Sequence, residues 1–255
     1  MGQIYEKKYA LNYFDFDKNF KLKPTTLMNF LQDISTLHFG VRTAHLPKDE
    51  LPGIWVIVEW QVNLLQMPEF VMDLTVRTEP NYFRKFIAYR RYDIEDDKGK
   101  QMGHAISKWA YIDPITKKQI NIPKVLNDVF DVEENCEKPG KIEFEEMFGA
   151  SKHEMTRMTV YSDIDVNHHV NNVTYIKWAI DTLGSELLDH YQLKALKVSF
   201  KCEVFEGEPV TIRTEVKKTA QRAVSKHQII GSDQAVCVSI QIEWQQLNQP
   251  FRPLV

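Results

Sequence analysis

The stretch Asp163-Ile-Asp-Val-Asn-His-His-Val-Asn-Asn172 holds more chemistry than any other part of the chain. If it runs extended, alternation places Asp163, Asp165, Asn167 and His169 on one side and Ile164, Val166, His168 and Val170 on the other. A carboxylate, an amide and an imidazole would then converge just ahead of an apolar-periodic segment that reads as a helix. A helix start offers unpaired backbone N–H groups and a positive dipole, suited to polarising a carbonyl oxygen. Histidine titrates near neutrality and serves as acid or base. The same Asp and Asn residues also suit a purely local role, capping the helix and closing Asx turns.

An internal repeat separates the two roles. Tyr13–Asp33 lies without gaps on Tyr161–Asp181, at an offset of 148 residues. Tyr13/Tyr161, Asp15/Asp163, Asp17/Asp165, Asn19/Asn167, Thr26/Thr174 and Asp33/Asp181 are identical pairs. His169 has Lys21 as its counterpart. Shared Asp and Asn point to the fold, and the unshared histidine points to one catalytic half.

The elements that must position these residues also repeat. Leu27, Phe30, Leu31, Ile34 and Leu37 mark one amphipathic helix, with Pro24 in its first turn. Val173, Ile176, Ile180, Leu183 and Leu187 mark another over 172–188, with Asn171 or Asn172 as its cap. Strands are expected at 54–66, 70–78, 82–95 and 101–113, and again at 194–206, 209–217, 222–231 and 235–246. Asp96-Asp-Lys-Gly99 and Gly231-Ser-Asp233 read as hairpin turns. Each half therefore reads as strand, helix and antiparallel meander. Wrapping the sheet around the helix buries both apolar faces. The expected fold is α+β, a tandem double hot-dog. An N-terminal domain would span 1–128 without the histidine, and a catalytic domain would span 153–255. The acidic segment 129–152, with Asp131, Glu133, Glu134, Glu137, Glu143, Glu145 and Glu146, makes the linker.

Composition narrows the function. A formal charge of −3 gives no overall match to a polyanion, so nucleic acid is not an expected partner. Cys136, Cys202 and Cys237 are widely spaced and suggest no disulfide framework, with Cys202 and Cys237 expected as small core hydrophobes. No secretory leader, transit peptide or membrane-length apolar run is evident, which implies a cytoplasmic protein without membrane insertion. Serine-hydrolase, zincin, Walker A and dinucleotide signatures are absent, and neither a metal nor a cofactor is expected.

Asp165-Val-Asn-His-His169-Val-Asn-Asn-Val-Thr-Tyr175-Ile-Lys-Trp178 closely resembles the Asp-x-Asn-x-His-Val-Asn-Asn-x-x-Tyr-Ile-x-Trp motif of acyl-acyl-carrier-protein (acyl-ACP) thioesterases. Gly53-Ile-Trp-Val56, Ser107-Lys-Trp109 and Ile122-Pro123 resemble segments of that family's first domain, so the likeness covers nearly the whole chain. The resemblance implies hydrolysis of fatty acyl-ACP thioesters to free fatty acid and ACP, in fatty acid biosynthesis. It assigns Asp165, Asn167 and His169 to the catalytic motif, and Glu203, in Phe200-Lys-Cys-Glu-Val204, to the catalytic glutamate. The family's once-suspected nucleophilic cysteine falls on Val204, which argues against a thiol mechanism. Cys202 has the opposite strand parity to Glu203.

The resemblance also implies an acidic carrier-protein partner for a monomer or homodimer. Arg84, Lys85, Arg90 and Arg91 form one candidate docking patch, and Lys217, Lys218 and Arg222 another. Trp55, Trp60 and Met28 are candidates for setting pocket depth. The alternatives are an acyl-CoA thioesterase, a hot-dog 3-hydroxyacyl thioester dehydratase and a non-catalytic acyl-binding protein.

Overall fold

The computed structural model describes residues 2–68, 72–133, 136–149 and 153–247. Glu134, the start of the expected 70–78 strand, the end of the linker and residues 248–255 lie outside them.

The ten strands are β1 (Tyr5–Ala10), β2 (Ile54–Leu64), β3 (Asp73–Arg84), β4 (Ile87–Asp96), β5 (Gln101–Ile112), β6 (His153–Met158), β7 (Tyr191–Phe200), β8 (Pro209–Lys218), β9 (Arg222–Ile230) and β10 (Val236–Gln246). They form one antiparallel sheet in the order β1-β3-β4-β5-β2-β7-β10-β9-β8-β6. The order of the first half, read from the outside in, is repeated by the second. A pseudo-two-fold axis therefore passes between β2 and β7, which pair from Glu59↔Ser199 to Asn63↔Ala195. The expected meander is corrected in one respect. β2 and β7 do not pair with the strands that follow them but cross to the far side of β5 and β10. Alternation reveals which face a residue occupies and is silent about which strand lies beside it.

The helices are α1 (Pro24–Thr43), α2 (Lys124–Phe130), α3 (Asn172–Asp181) and α4 (Ser185–Leu188). Leu27, Leu31 and Ile34 put one stripe of α1 into the core, with Pro24 at its first turn. Val173, Ile176 and Ala179 do the same for α3. The expected single helix over 172–188 is broken. Thr182 caps α3, and Gly184, in extended backbone, starts α4. The 148-residue offset survives almost unchanged: β1 maps onto β6, the 3-10 turn Tyr13–Asp15 onto Tyr161–Asp163, and the start of α1 onto the start of α3.

One core runs through both halves. Trp60 and Val62 of β2 join Leu196 and Val198 of β7, all buried, in the same apolar cluster as α1 and α3. The outermost strands, β1 and β6, are only six residues long and carry alternating exposed side chains, which blunts both edges. Cys237 is buried in the apolar core as expected, whereas Cys202 is exposed just beyond β7, and the two form a disulfide pair. The Cys237 carbonyl accepts from Lys201 N at 2.8 Å, which brings the two Cα atoms to 4.6 Å, within bridging range.

Two interior histidines make stability depend on pH. His227 is held between Thr214 Oγ1 (2.8 Å) and Ser225 Oγ (2.9 Å), and burial pushes its pKa down to about 3. His38 is also pushed to about 3, by burial and then by the cations Arg90 and Arg42. The unfolded chain titrates these imidazoles near 6.5, so it takes up the protons first as pH falls. Their contribution is complete above pH 6.5 and is lost as pH drops toward 3. Urea melts at pH 7, 6 and 5 should show stability falling at up to about 1.4 kcal/mol per pH unit per histidine. His227→Gln should flatten that slope, and an unchanged slope would contradict the assignment.

Candidate active site

Asp163–Asn172 is a folded loop, not the extended strand that alternation implied. Ile164 bridges Val170, Asp165 N donates to His169 O at 3.0 Å, and His168 turns the chain at φ 65°. Asp165 holds the turn: Oδ1 accepts from Asn167 N at 2.8 Å, and Oδ2 from Asn171 Nδ2 at 3.3 Å. Asn171 caps α3 by accepting from Val173 N at 2.8 Å. Asp163 is not with the other three polar residues. It is buried, and its carboxylate accepts from Val160 N at 3.0 Å and Arg157 Nη2 at 3.1 Å.

The first copy repeats most of this loop's hydrogen bonds, though Lys23 stands where Asn171 does, so the Asn171–Asp165 bond and the side-chain cap have no counterpart there. Asp17 N donates to Lys21 O at 2.8 Å, Asn19 N to Asp17 Oδ1 at 2.8 Å, and Asn12 N to Asp15 Oδ2 at 2.8 Å, with Phe20 at φ 56°. The shared Asp and Asn residues thus build the turn in both halves.

The residue after the turn differs most in consequence. Lys21 Nζ donates to the carbonyls of Leu188 and Tyr191, at the far end of α4, and Asn19 Nδ2 donates to Asp189 at 2.9 Å. The first copy has become a clasp onto the second half. Lys21→Met removes the donor for two carbonyls and should cost roughly 1–3 kcal/mol. The melt should show that loss while turnover per folded molecule stays near normal.

In the second copy the same position carries His169. Its Nδ1 lies 3.1 Å from Val170 O. A carbonyl only accepts, so in the neutral ring Nδ1 is the nitrogen that carries the hydrogen and Nε2 the one with the lone pair. Nε2 stands 3.9 Å from Glu203 Oε1. Glu203 lies beyond the end of β7, in a loop and not in a strand, so strand parity does not separate it from Cys202. The loop is fixed by Val170 N donating to Val204 O at 2.9 Å and by the disulfide at Cys202. Burial, with the field of Glu203, Glu208 and Asp165, pushes the nearby Tyr175 phenol up, so it keeps its proton at neutral pH. Val173 N is used by the cap and Thr174 N by Asn171 O, whereas Asn172 N donates to no acceptor among the described residues.

Asp165, Asn167, His169, Asn172 and Glu203 all border one cavity of about 1430 Å³. It runs from this loop into the first half, where Phe39, Trp55, Phe83, Trp109 and Phe130 line it. Trp55 is therefore a wall residue. Trp60 and Met28, expected beside it, are buried in the core and do not border the cavity. Arg90, grouped above with surface cations, is buried and faces this space. Strand period would have revealed it, because Arg90 and Arg91 cannot both point outward. Among the described residues, no group of three or more His, Cys, Asp or Glu is placed to hold a metal ion.

A helix-wrapping antiparallel sheet, duplicated and fused edge to edge, defines a double hot-dog protein. Residues 2–131 match the acyl-ACP thioesterase N-terminal domain and residues 149–246 the acyl-ACP thioesterase C-terminal domain. The chain belongs to the acyl-ACP thioesterase family, a family of thioester hydrolases. It is 24% identical over 246 residues to oleoyl-acyl carrier protein thioesterase 2 of Arabidopsis thaliana, covering 88% of this chain and 66% of that one. It thus spans just under two thirds of that relative's length. Two solved structures share the fold. A Lactobacillus plantarum protein assigned as an oleoyl thioesterase superposes with a TM-score of 0.86 at 23% identity, over 98% of each chain. The 12:0-ACP thioesterase of Umbellularia californica gives 0.81 at 16% identity, over 96% of this chain and 94% of that one.

Proposed function

We propose that this protein hydrolyses fatty acyl thioesters of an acyl carrier protein, releasing the free acid during fatty acid biosynthesis in the cytoplasm. The observation that carries this is the His169 Nε2–Glu203 pair at 3.9 Å on the rim of an apolar cavity. In this reading His169 Nε2 takes the proton from a water attacking the thioester carbonyl. Glu203 stabilises the imidazolium that results. Asn167 contacts the water or the thioester, and Asp165 holds the turn that presents both. The free N–H of Asn172 meets the developing oxyanion, a role in which one donor is worth roughly 100- to 1000-fold in rate. Residues 1–128 act as the pocket domain, 129–152 as the linker and 153–255 as the catalytic domain.

The pseudo-symmetry supports one of the two candidate docking patches. The turn between β8 and β9, with Lys217, Lys218 and Arg222, stands beside α4 through Lys218–Glu186 (2.8 Å), next to the clasp formed by the first copy. By strand order, the turn between β3 and β4, with Arg84 and Lys85, is the counterpart of that turn in the first half. An acidic carrier would meet the Arg84/Lys85 turn, with Lys117 and Lys201 at the cavity rim.

The test is thiol release from a set of acyl-carrier-protein thioesters of increasing chain length, with free acid identified as product. A conjugated enoyl product, or no thiol release, would refute the proposal. Arg84→Glu with Lys85→Glu should raise KM for carrier-bound substrate about tenfold at low salt, with little change in kcat. An unaltered KM would place docking elsewhere.

A further inference from the structure

The cavity holds a second polar feature that the proposed chemistry does not use. Arg90 lies on β4, opposite Pro80 of β3 and Ser107 of β5, and strand alternation turns it inward. It is 8% exposed and borders the cavity with Ser35, Ala88 and Phe130. A guanidinium has five N–H donors. Here Nη1 donates to His38 Nδ1 at 2.9 Å and to Thr78 Oγ1 at 3.3 Å. Nε and Nη2 donate to no acceptor among the described residues, although neither is sealed in protein; they open onto the cavity. Phe130 gives only a distant cation–π contact, 5.9 Å from the guanidinium carbon.

No carboxylate among the described residues lies within ion-pair distance of Arg90, whereas Arg91, one position on, reaches Asp93 at 3.4 Å at the surface. A buried cation without an anion is costly, and burial already pulls the guanidinium's proton affinity down. The surroundings nonetheless hold it in place. His38 is stacked on Tyr5 (5.2 Å between centroids) and presents its Nδ1 acceptor to Arg90. Residues so arranged keep a charged fork pointed into space meant for a ligand.

Its place in the sheet says which part of the ligand it meets. β4 is three strand positions from β7, which leads into Glu203. At strand spacing this is roughly 14 Å across the sheet alone. An acyl chain whose thioester sits at His169 would reach Arg90 with its distal carbons.

We infer that the far end of the cavity is a binding site for an oxygen acceptor, so that the preferred acyl chain carries a hydroxyl, oxo or carboxyl oxygen near its distal end. This rests on the thioesterase reading for the placement of the reacting end. A plain methyl terminus would strip water from Nε and Nη2 and supply no acceptor. An oxygenated terminus completes the fork with charge-assisted hydrogen bonds.

The test compares wild type, Arg90→Met and Arg90→Lys on carrier-bound acyl chains matched in length, plain or bearing a distal oxygen. Binding of the corresponding free acids is followed in parallel through Trp55 and Trp109, which line the cavity. Wild type should favour the oxygenated chain by roughly 10- to 100-fold in kcat/KM and in affinity. Arg90→Met should abolish or invert that ratio, with plain chains turned over at least as fast. Arg90→Lys, a single-point donor, should keep part of the preference. A wild-type enzyme that prefers the plain chain at every length overturns the inference, as does an Arg90→Met ratio equal to that of wild type. Preferential binding of oxygenated acids without any thioester cleavage would refute the hydrolase reading and leave the distal site standing. Cleavage without the preference would do the reverse.

Discussion

His169→Ala should lower kcat for thioester hydrolysis by roughly 100- to 10,000-fold while the melting temperature scarcely moves. The split follows from what the side chain touches. Its polar contacts are the bond from Nδ1 to the neighbouring Val170 carbonyl at 3.1 Å and the 3.9 Å approach of Nε2 to Glu203, and the turn beneath it is held by Asp165 and Asn171. Glu203→Gln should follow in the same direction, at least about 100-fold down. It keeps the shape of the side chain and removes only the charge facing the imidazolium, so a loss of rate identifies charge as the operative property. Near-normal turnover in both folded variants would remove the site from these residues. The contrast with Lys21→Met is part of the prediction: the same position in the repeat should register in the melt in one half and in the rate in the other.

Trp60→Ala should destabilise the whole chain by about 3–5 kcal/mol. Trp60 is 1% exposed, packs at a tilt against Tyr92 with ring centroids 5.0 Å apart, and lies opposite Val198 across the seam between the halves. Because the main cluster it belongs to contains side chains from both halves, the loss falls on both. The expected result is a single unfolding transition shifted down by roughly 10 °C or more, followed by circular dichroism and calorimetry. Two resolved transitions, with only one displaced, would show instead that each half stands alone.

Much of this was legible in the residues. The gapless repeat places β6, the second 3-10 turn and the start of α3 from the first copy, because loop hydrogen bonds depend on Asp and Asn at fixed spacing. The same comparison isolates His169 without any structure. Other features were hidden for identifiable reasons. The bend at 164–170 escaped because a pattern of alternating polarity is the same for a strand and for a turn closed by its own Asx side chains. The crossing of β2 and β7 depends on strand order, on which periodicity is silent. The Cys202–Cys237 bridge depends on two strand ends meeting across 35 residues of sequence. Arg90 was obscured by its neighbours, since a run of basic residues reads as surface until the two-residue period of the strand is applied.

The pairing of β2 with β7 has one more consequence. A dimer of identical subunits receives every substitution twice, so its two copies of a site must drift together. Joining the copies in one polypeptide lifts that constraint. Here one descendant of the loop keeps an imidazole over a cavity, and the other spends its lysine gripping the opposite half. The seam is thus where symmetry was broken, and the asymmetry leaves two formerly equivalent loops with different contacts.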